Sequence, residues 1–254
     1  MSAESSADVT HPSARERGVL GALLQLGVVA TAVVANLLVR WVTLDDADQA
    51  VANALSLLDL QRALHLDWEH AVQDAVLAVP GLGAVCSWFY VWGYLPVVAL
   101  ALGGTYLFRP AAYVLLRDAL LASGVVGLGV YVLLPVAPPR LTELGYTDTV
   151  AASAVESAAR PVGVANEIAA VPSFHVGWLI VVAVVLWQVT RSVLARLVCV
   201  LHPVSMCVAV VATGNHWVLD LPAGAVIAGF GLAVARAVAR RRTSRRAAPA
   251  STPR

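Results

Sequence analysis

The sequence predicts an all-α protein, a polytopic bundle of six transmembrane helices, and three observations carry that prediction. Of the 254 residues, 59% are hydrophobic and only 13% charged, with a mean hydropathy of +0.77. A soluble domain carries about 45–50% apolar and roughly 25% charged residues. Apolar stretches of membrane-spanning length recur along the chain, and the acidic residues gather mostly in two polar segments, 45–74 and 143–167. This composition excludes a disordered chain, a nucleic-acid-binding tail protein and an ordinary cytosolic enzyme.

Residues 1–17 are polar and read as a disordered N-terminus. Val19 to Val39 is an uncharged run of 21 residues, enough to cross about 30 Å of hydrocarbon. Arg15 and Arg17 before it also fit a signal peptide, but its length and the apolar segments that follow favour an uncleaved first helix. From Leu44 to Pro80 the chain is acidic, with apolar residues at Val51, Leu55, Leu58 and again at Leu64, Trp68, Val72. That spacing is helical and predicts one or two amphipathic helices lying over the bundle or on the membrane surface, stopped by Pro80-Gly81. Five more spans follow at 84–108, 119–136, 174–190, 194–213 and 217–236, with a polar stretch at 137–171. The membrane domain is then 18–239, with a core at about 85–236, and 240–254 is a basic solvated tail.

Cys86, Cys199 and Cys207 all fall in apolar segments without metal-ligand spacing. Cys199 and Cys207 would lie about 12 Å apart along one helix, too far to bridge. They read as buried small hydrophobes.

All seventeen basic residues are Arg, and they set the topology. With six spans, the termini and the loops near 109–118 and 191–196 share one side, which holds thirteen Arg against four on the other. By the positive-inside rule the termini are cytoplasmic, and 44–80 and 137–171 face outward across the plasma membrane.

Polar residues at membrane depth are costly and point to function. Three groups stand out, all on the outer side. In Val171-Pro172-Ser173-Phe174-His175, Pro172 suits the first turn of a span. There Ser173 and the free N–H groups form a phosphate site, and His175 lies within reach. A plainer reading is an N-cap with an interfacial His. In Asn215-His216-Trp217-Val218-Leu219-Asp220, the His and Asp are four residues apart and would share a helical face. A carboxylate on one imidazole nitrogen fixes the tautomer and frees the other as nucleophile or base; the plainer reading is a structural pair closing the helix end. Arg140, in Pro138-Pro139-Arg140-Leu141, offers a planar fork to phosphate oxygens, or is simply a solvated charge.

Together these residues suggest phosphoryl chemistry, and here the chain resembles the type 2 phosphatidic acid phosphatase superfamily. Pro172-Ser173-Phe174-His175 matches its Pro-Ser-x-His block and His216 to Asp220 its His-x-x-x-Asp block, 41 residues on from His175. The resemblance covers roughly 85–236. Leu133 and Leu141 stand where the phosphatase branch has Lys and Pro around Arg140, and Ala209 and Val210 replace its Ser-Arg pair. Thr213-Gly214-Asn215-His216 looks more like the inositol phosphorylceramide synthase branch. The resemblance implies a lipid phosphate phosphatase or phosphotransferase of six transmembrane helices. It makes His216 the nucleophile of a phosphohistidine intermediate, Asp220 its orienting group and His175 the acid. Arg140, Ser173 and Asn215 would bind phosphate, with Arg160 as a further cation. No metal, cofactor or nucleic acid is implied; the partners are a lipid phosphate substrate and membrane lipids.

Two other classes fit parts of the pattern. A haem-binding electron carrier would use His175, His202 or His216 as axial ligands, and a non-catalytic lipid transporter would keep the fold without turnover. His202-Pro203 reads as structural, within a span where Pro kinks a helix. Trp41, Trp68, Trp88, Trp92, Trp178 and Trp217 read as an outer aromatic belt, and Arg240 to Arg246 as an anchor to anionic lipid.

Overall fold

The computed structural model describes residues 19–43, 46–155 and 168–247. Arg160, the polar residues 1–17 and the last seven residues of the basic tail lie outside them. The described residues form nine α-helices and no strand: α1 (Val19–Val42), α2 (Ala47–Ala63), α3 (Glu69–Leu77), α4 (Leu82–Trp92), α5 (Leu95–Phe108), α6 (Pro110–Leu133), α7 (Phe174–Val189), α8 (Val193–Ala212) and α9 (Asp220–Ala247). A single 3-10 turn, Pro139–Leu141, follows α6.

Among the described residues, four stretches are long and apolar enough to cross a membrane: Leu82–Phe108, Pro110–Leu133, Val193–Ala212 and Asp220–Ser244. Two shorter apolar helices, α7 and Ala30–Val42 within α1, fall where the sequence predicts the fourth and first spans. The predicted second span is broken into α4 and α5. Gly93 and Tyr94 leave the helix, and Pro96 can enter the first turn of α5, where its missing N–H costs nothing. Across the break, His202 of α8 donates from Nε2 to the Gly93 carbonyl at 2.7 Å and sets its ring edge-on to Phe89. A carbonyl freed by the break is thus satisfied by the neighbouring helix, a structural use of His202.

Two helices run further than expected because their charges pair. The sequence starts the third span at residue 119, whereas α6 begins at Pro110 and takes in Arg117 and Asp118. Arg117 donates to Asp118 at 2.6 Å and to Gln25 of α1 at 3.2 Å, and Arg242 of α9 lies 3.5 Å from Asp118. The last helix accordingly continues past 236 to Ala247, into the segment read as a solvated tail.

Glycine sets the contacts of α9. A side chain at Gly231 would run into the Ala119 carbonyl of α6, and one at Gly224 into the Ser173 carbonyl of α7. Lipid supplies no hydrophobic drive between helices, so such close approach is a main source of packing energy. The core then fills with Leu116, Leu120, Val176, Leu179, Val182, Val210 and Leu232.

The described part of the acidic segment, from residue 46 on, forms α2 and α3, which cover one end of the bundle. Ala50, Ala54 and Leu58 pack on Val136, Ala137 and Trp217, and Asn53 donates to the Pro135 carbonyl at 2.8 Å. Trp41, Trp68, Trp88 and Trp92 are exposed, as a belt requires. Trp217 is not: it is fully buried and donates from Nε1 to the Ala137 carbonyl at 2.8 Å. Its indole N–H found a protein partner, so the ring fastens the cover to the bundle.

Candidate active site

The covered end is where α6 and α8 finish and α7 and α9 begin. Gly214 ends α8 in the left-handed region, φ +69°. Its N–H donates to the Val211 carbonyl at 2.9 Å, and that of Asn215 to Val210 at 3.1 Å, a Schellman closure. That turn delivers Asn215 and His216 to the bundle end. On the facing side, Ser173 caps α7, its Oγ accepting the Val176 N–H at 3.4 Å. Pro172 therefore lies before the cap, not in the first turn as the sequence suggested.

His216 and Asp220 meet, but not on one helical face. α9 starts at Asp220, and His216 sits in the turn before it. Asp220 reaches back, and its Oδ2 accepts the Trp217 N–H at 2.8 Å and stands 3.1 Å from His216 Nδ1. The Ala170 carbonyl lies 2.9 Å from the same Nδ1. A carbonyl oxygen only accepts, so Nδ1 carries the hydrogen, and the neutral ring has its lone pair on Nε2. Ser173 Oγ is 3.4 Å from that Nε2.

His175 stacks on Tyr90, centroids 4.3 Å apart, and tilts against Tyr94 at 4.1 Å. Its ring meets that of His216 edge to face at 5.6 Å. Axial haem ligands must instead point their nitrogens at each other across an iron, so this arrangement does not favour the haem reading. Arg140, in the 3-10 turn, donates its backbone N–H to Gly214 O at 3.0 Å and its Nε to Asn215 Oδ1 at 2.9 Å. Asp148 lies 3.7 Å from its guanidinium. The other end of the Asn215 side chain donates to Thr213 Oγ1 at 3.0 Å, so Asn215 orients the arginine.

A cavity of about 180 Å³ opens between these groups, lined by Arg140, His175, Asn215 and His216 with Tyr90, Tyr94, Tyr131 and Phe174. Ser173 and Asp220 stand behind its wall, both fully buried. Residues the sequence separates by up to 76 positions thus share one space: an imidazole nitrogen with its lone pair, a second imidazole and a guanidinium.

A family model described as the PAP2 superfamily matches residues 55–234, most of the chain. The chain belongs to the PAP2 superfamily. The PAP2 match reaches back into α2, beyond the part of the sequence that carries the motifs. No curated protein sequence matches the chain. Among solved structures, the crystal structure of Aquifex aeolicus LpxE is similar, with a TM-score of 0.55 and 16% identity over 67% of this chain and 93% of that one. That likeness shows a shared fold, and PAP2 membership supports membrane lipid phosphatase chemistry.

Three buried polar residues beside the site escape a motif search. Gln61, Glu69 and Gln73 of the α2–α3 cover are buried. Glu69 Oε1 accepts the Val218 N–H at 2.7 Å and the Gln61 amide at 2.6 Å, and Gln61 Oε1 accepts the Leu219 N–H at 2.9 Å. Gln73 bridges the Ala212 and Thr147 carbonyls, 2.9 Å from each. Glu69 and Gln61 thus clamp the segment between His216 and Asp220, while Gln73 ties the end of α8 to the loop after α6. A sequence signal for one of them existed: Gln61 continues the buried stripe Ala50, Ala54, Leu58, a polar residue on an apolar face.

Proposed function

We propose that this protein transfers a phosphoryl group from a lipid phosphate or phosphodiester through a phosphohistidine on His216. The observation that carries the reading is the double hold on His216 Nδ1 by Ala170 O and Asp220, which leaves the Nε2 lone pair beside the cavity. In the first step Nε2 forms a bond to phosphorus as the bond to the leaving oxygen breaks, and His175 gives that oxygen a proton. In the second, water or an alcohol loses its proton to His175 and attacks phosphorus, and the P–N electrons return to Nε2. Arg140, oriented by Asn215, meets the charge that develops on the phosphoryl oxygens. Ser173, which the sequence places on the phosphate, is instead fully buried behind the cavity wall and acts from there through its cap of α7.

The Thr213-Gly214-Asn215-His216 sequence and the Arg140–Asn215 bond support a site closer to the inositol phosphorylceramide synthase branch, where fewer cations surround the phosphate. The catalytic domain is 18–239, in the plasma membrane. The thirteen-to-four Arg asymmetry supports cytoplasmic termini and an outward-facing site.

A screen of lipid phosphates and phosphodiesters, with and without inositol, tests the function when free phosphate and new phospholipid are both followed. Free phosphate marks a phosphatase, and an inositol-dependent phospholipid marks a phosphotransferase. Neither product from any lipid contradicts the reading. Labelling of Glu143→Cys by a membrane-impermeant maleimide on intact cells tests the sidedness; protection of that position contradicts it.

A further inference from the structure

A second cavity, about 720 Å³, lies at the opposite end of the bundle and is lined by Arg109, Gln188, Val189, Thr190, Arg191 and Arg196. Two tight turns build it. Arg109 alone separates α5 from α6, and Thr190 to Ser192 separate α7 from α8. The sixteen residues of α7 set it about 24 Å from Ser173, so it is remote from the phosphoryl site.

The electrostatics of this cleft differ from those of its surroundings. Arg117 and Arg242 of the same bundle end are paired with Asp118. Arg109, Arg191 and Arg196 have no carboxylate partner among the described residues. The Arg196 guanidinium is held 5.1 Å over the Trp187 ring, while its Nε is buried without a hydrogen-bond partner among the described residues. A buried donor of this kind calls for an acceptor. Next to the cleft in sequence, Phe108, Val193, Leu194 and Leu197 are exposed apolar residues.

We propose that this cleft binds the phosphate of an anionic phospholipid headgroup, with the acyl chains lying along Phe108, Val193 and Leu194. Guanidinium forks fit phosphate oxygens in pairs, and basic pockets between helices on the positive side of a membrane protein suit such headgroups. Three cations without a carboxylate partner among the described residues disfavour a zwitterionic lipid, which would bring its own ammonium among them. Free phosphate would leave the apolar rim unused. The inference is independent of the phosphoryl-transfer reading.

Trp187 is the one tryptophan of seven at this end, which gives the test a local probe. The full chain is reconstituted in phosphatidylcholine vesicles carrying brominated phosphatidylglycerol or brominated phosphatidylcholine. Quenching of Trp187 is read as the difference between the native chain and Trp187→Phe. The expected result is a several-fold preference for phosphatidylglycerol. It falls to none in the triple variant Arg109→Gln, Arg191→Gln, Arg196→Gln, and falls in part in Arg191→Gln, whose exposed side chain makes it safe for folding. The preference stays intact in Arg62→Gln, an exposed arginine of the α2 cover at the other end of the bundle. Equal quenching by both lipids, or a preference that survives in Arg191→Gln and the triple variant, overturns the proposal. So does its abolition by inorganic phosphate at constant ionic strength, which would assign the cleft to free phosphate.

Discussion

Asp220 Oδ2 stands 3.1 Å from His216 Nδ1 and takes the Trp217 N–H through the same oxygen at 2.8 Å. One carboxylate oxygen therefore fixes both the tautomer of the imidazole and the turn that carries it. Asp220→Asn should keep the turn only if the amide oxygen faces Trp217, and it weakens the preference for hydrogen on Nδ1. In a serine-protease triad the corresponding change costs about 10⁴-fold in kcat. A smaller loss is expected here, because the amide oxygen and Ala170 O still hold the hydrogen on Nδ1 and only the carboxylate charge is removed, with a melting temperature near that of the native chain. Unchanged turnover would separate Asp220 from the chemistry.

His175 is held between Tyr90 and Tyr94 with its ring 5.6 Å from that of His216. If it supplies the proton to the leaving oxygen, His175→Ala should slow natural lipid phosphates by about 10²–10⁴-fold. p-Nitrophenyl phosphate, whose leaving group needs that proton less, should be partly spared. Equal losses on both substrates would show that His175 is not the acid.

Glu69 acts at one remove, through the Val218 N–H it accepts at 2.7 Å. Glu69→Ala leaves that donor and the Gln61 amide without their acceptor, at about 1–3 kcal/mol for each buried group. A lower melting temperature and a fall in kcat with little change in KM are expected. Glu69→Gln retains an acceptor oxygen and should recover part of both. A Glu69→Ala protein as active as the native one would show that the clamp only stabilises.

Much of this arrangement was legible in the sequence, for identifiable reasons. The apolar runs located the spans because membrane-spanning length is a strong signal, although charged residues that pair carry two helices about ten residues further. The His216–Asp220 pairing followed from spacing. What spacing could not give was the cause. The pair meets because Asp220 reaches back from the first residue of α9, not because both lie on one helix. The break at Gly93 was missed because the run from 84 to 108 is apolar throughout, and hydropathy does not register a carbonyl satisfied by His202. The clamp of Gln61 and Glu69 lay hidden because its partners are 149 and 158 residues away. Trp217 was assigned to the membrane interface by its type, although its N–H bonds to Ala137.

Tyr146 reports the integrity of the cover. Its ring stacks on His70 at 3.9 Å and stands edge-on to Trp217. Burial, helped by the nearby Glu69 carboxylate, pushes its phenol up to about 12 from the ordinary 10. A raised folded value means that the contribution is complete below pH 10 and is lost as the pH rises through 12. Melting temperatures followed over that range should fall more steeply for the native chain than for Tyr146→Phe. Parallel curves would place the phenol in a solvated setting.

The nitrogen of His216 that faces the cavity is the centre of the proposed mechanism, and trapping the phosphoenzyme examines it without any assumption about the acceptor. The native protein is mixed with a lipid donor radiolabelled at phosphorus, quenched, and its bound label tested for stability. A phosphoramidate on His216 is lost in acid and survives base, and His216→Ala should show neither bound label nor turnover on any leaving group. Label that survives acid but is lost in base, as a phosphoserine at Ser173 would be, or full turnover in His216→Ala, would contradict it.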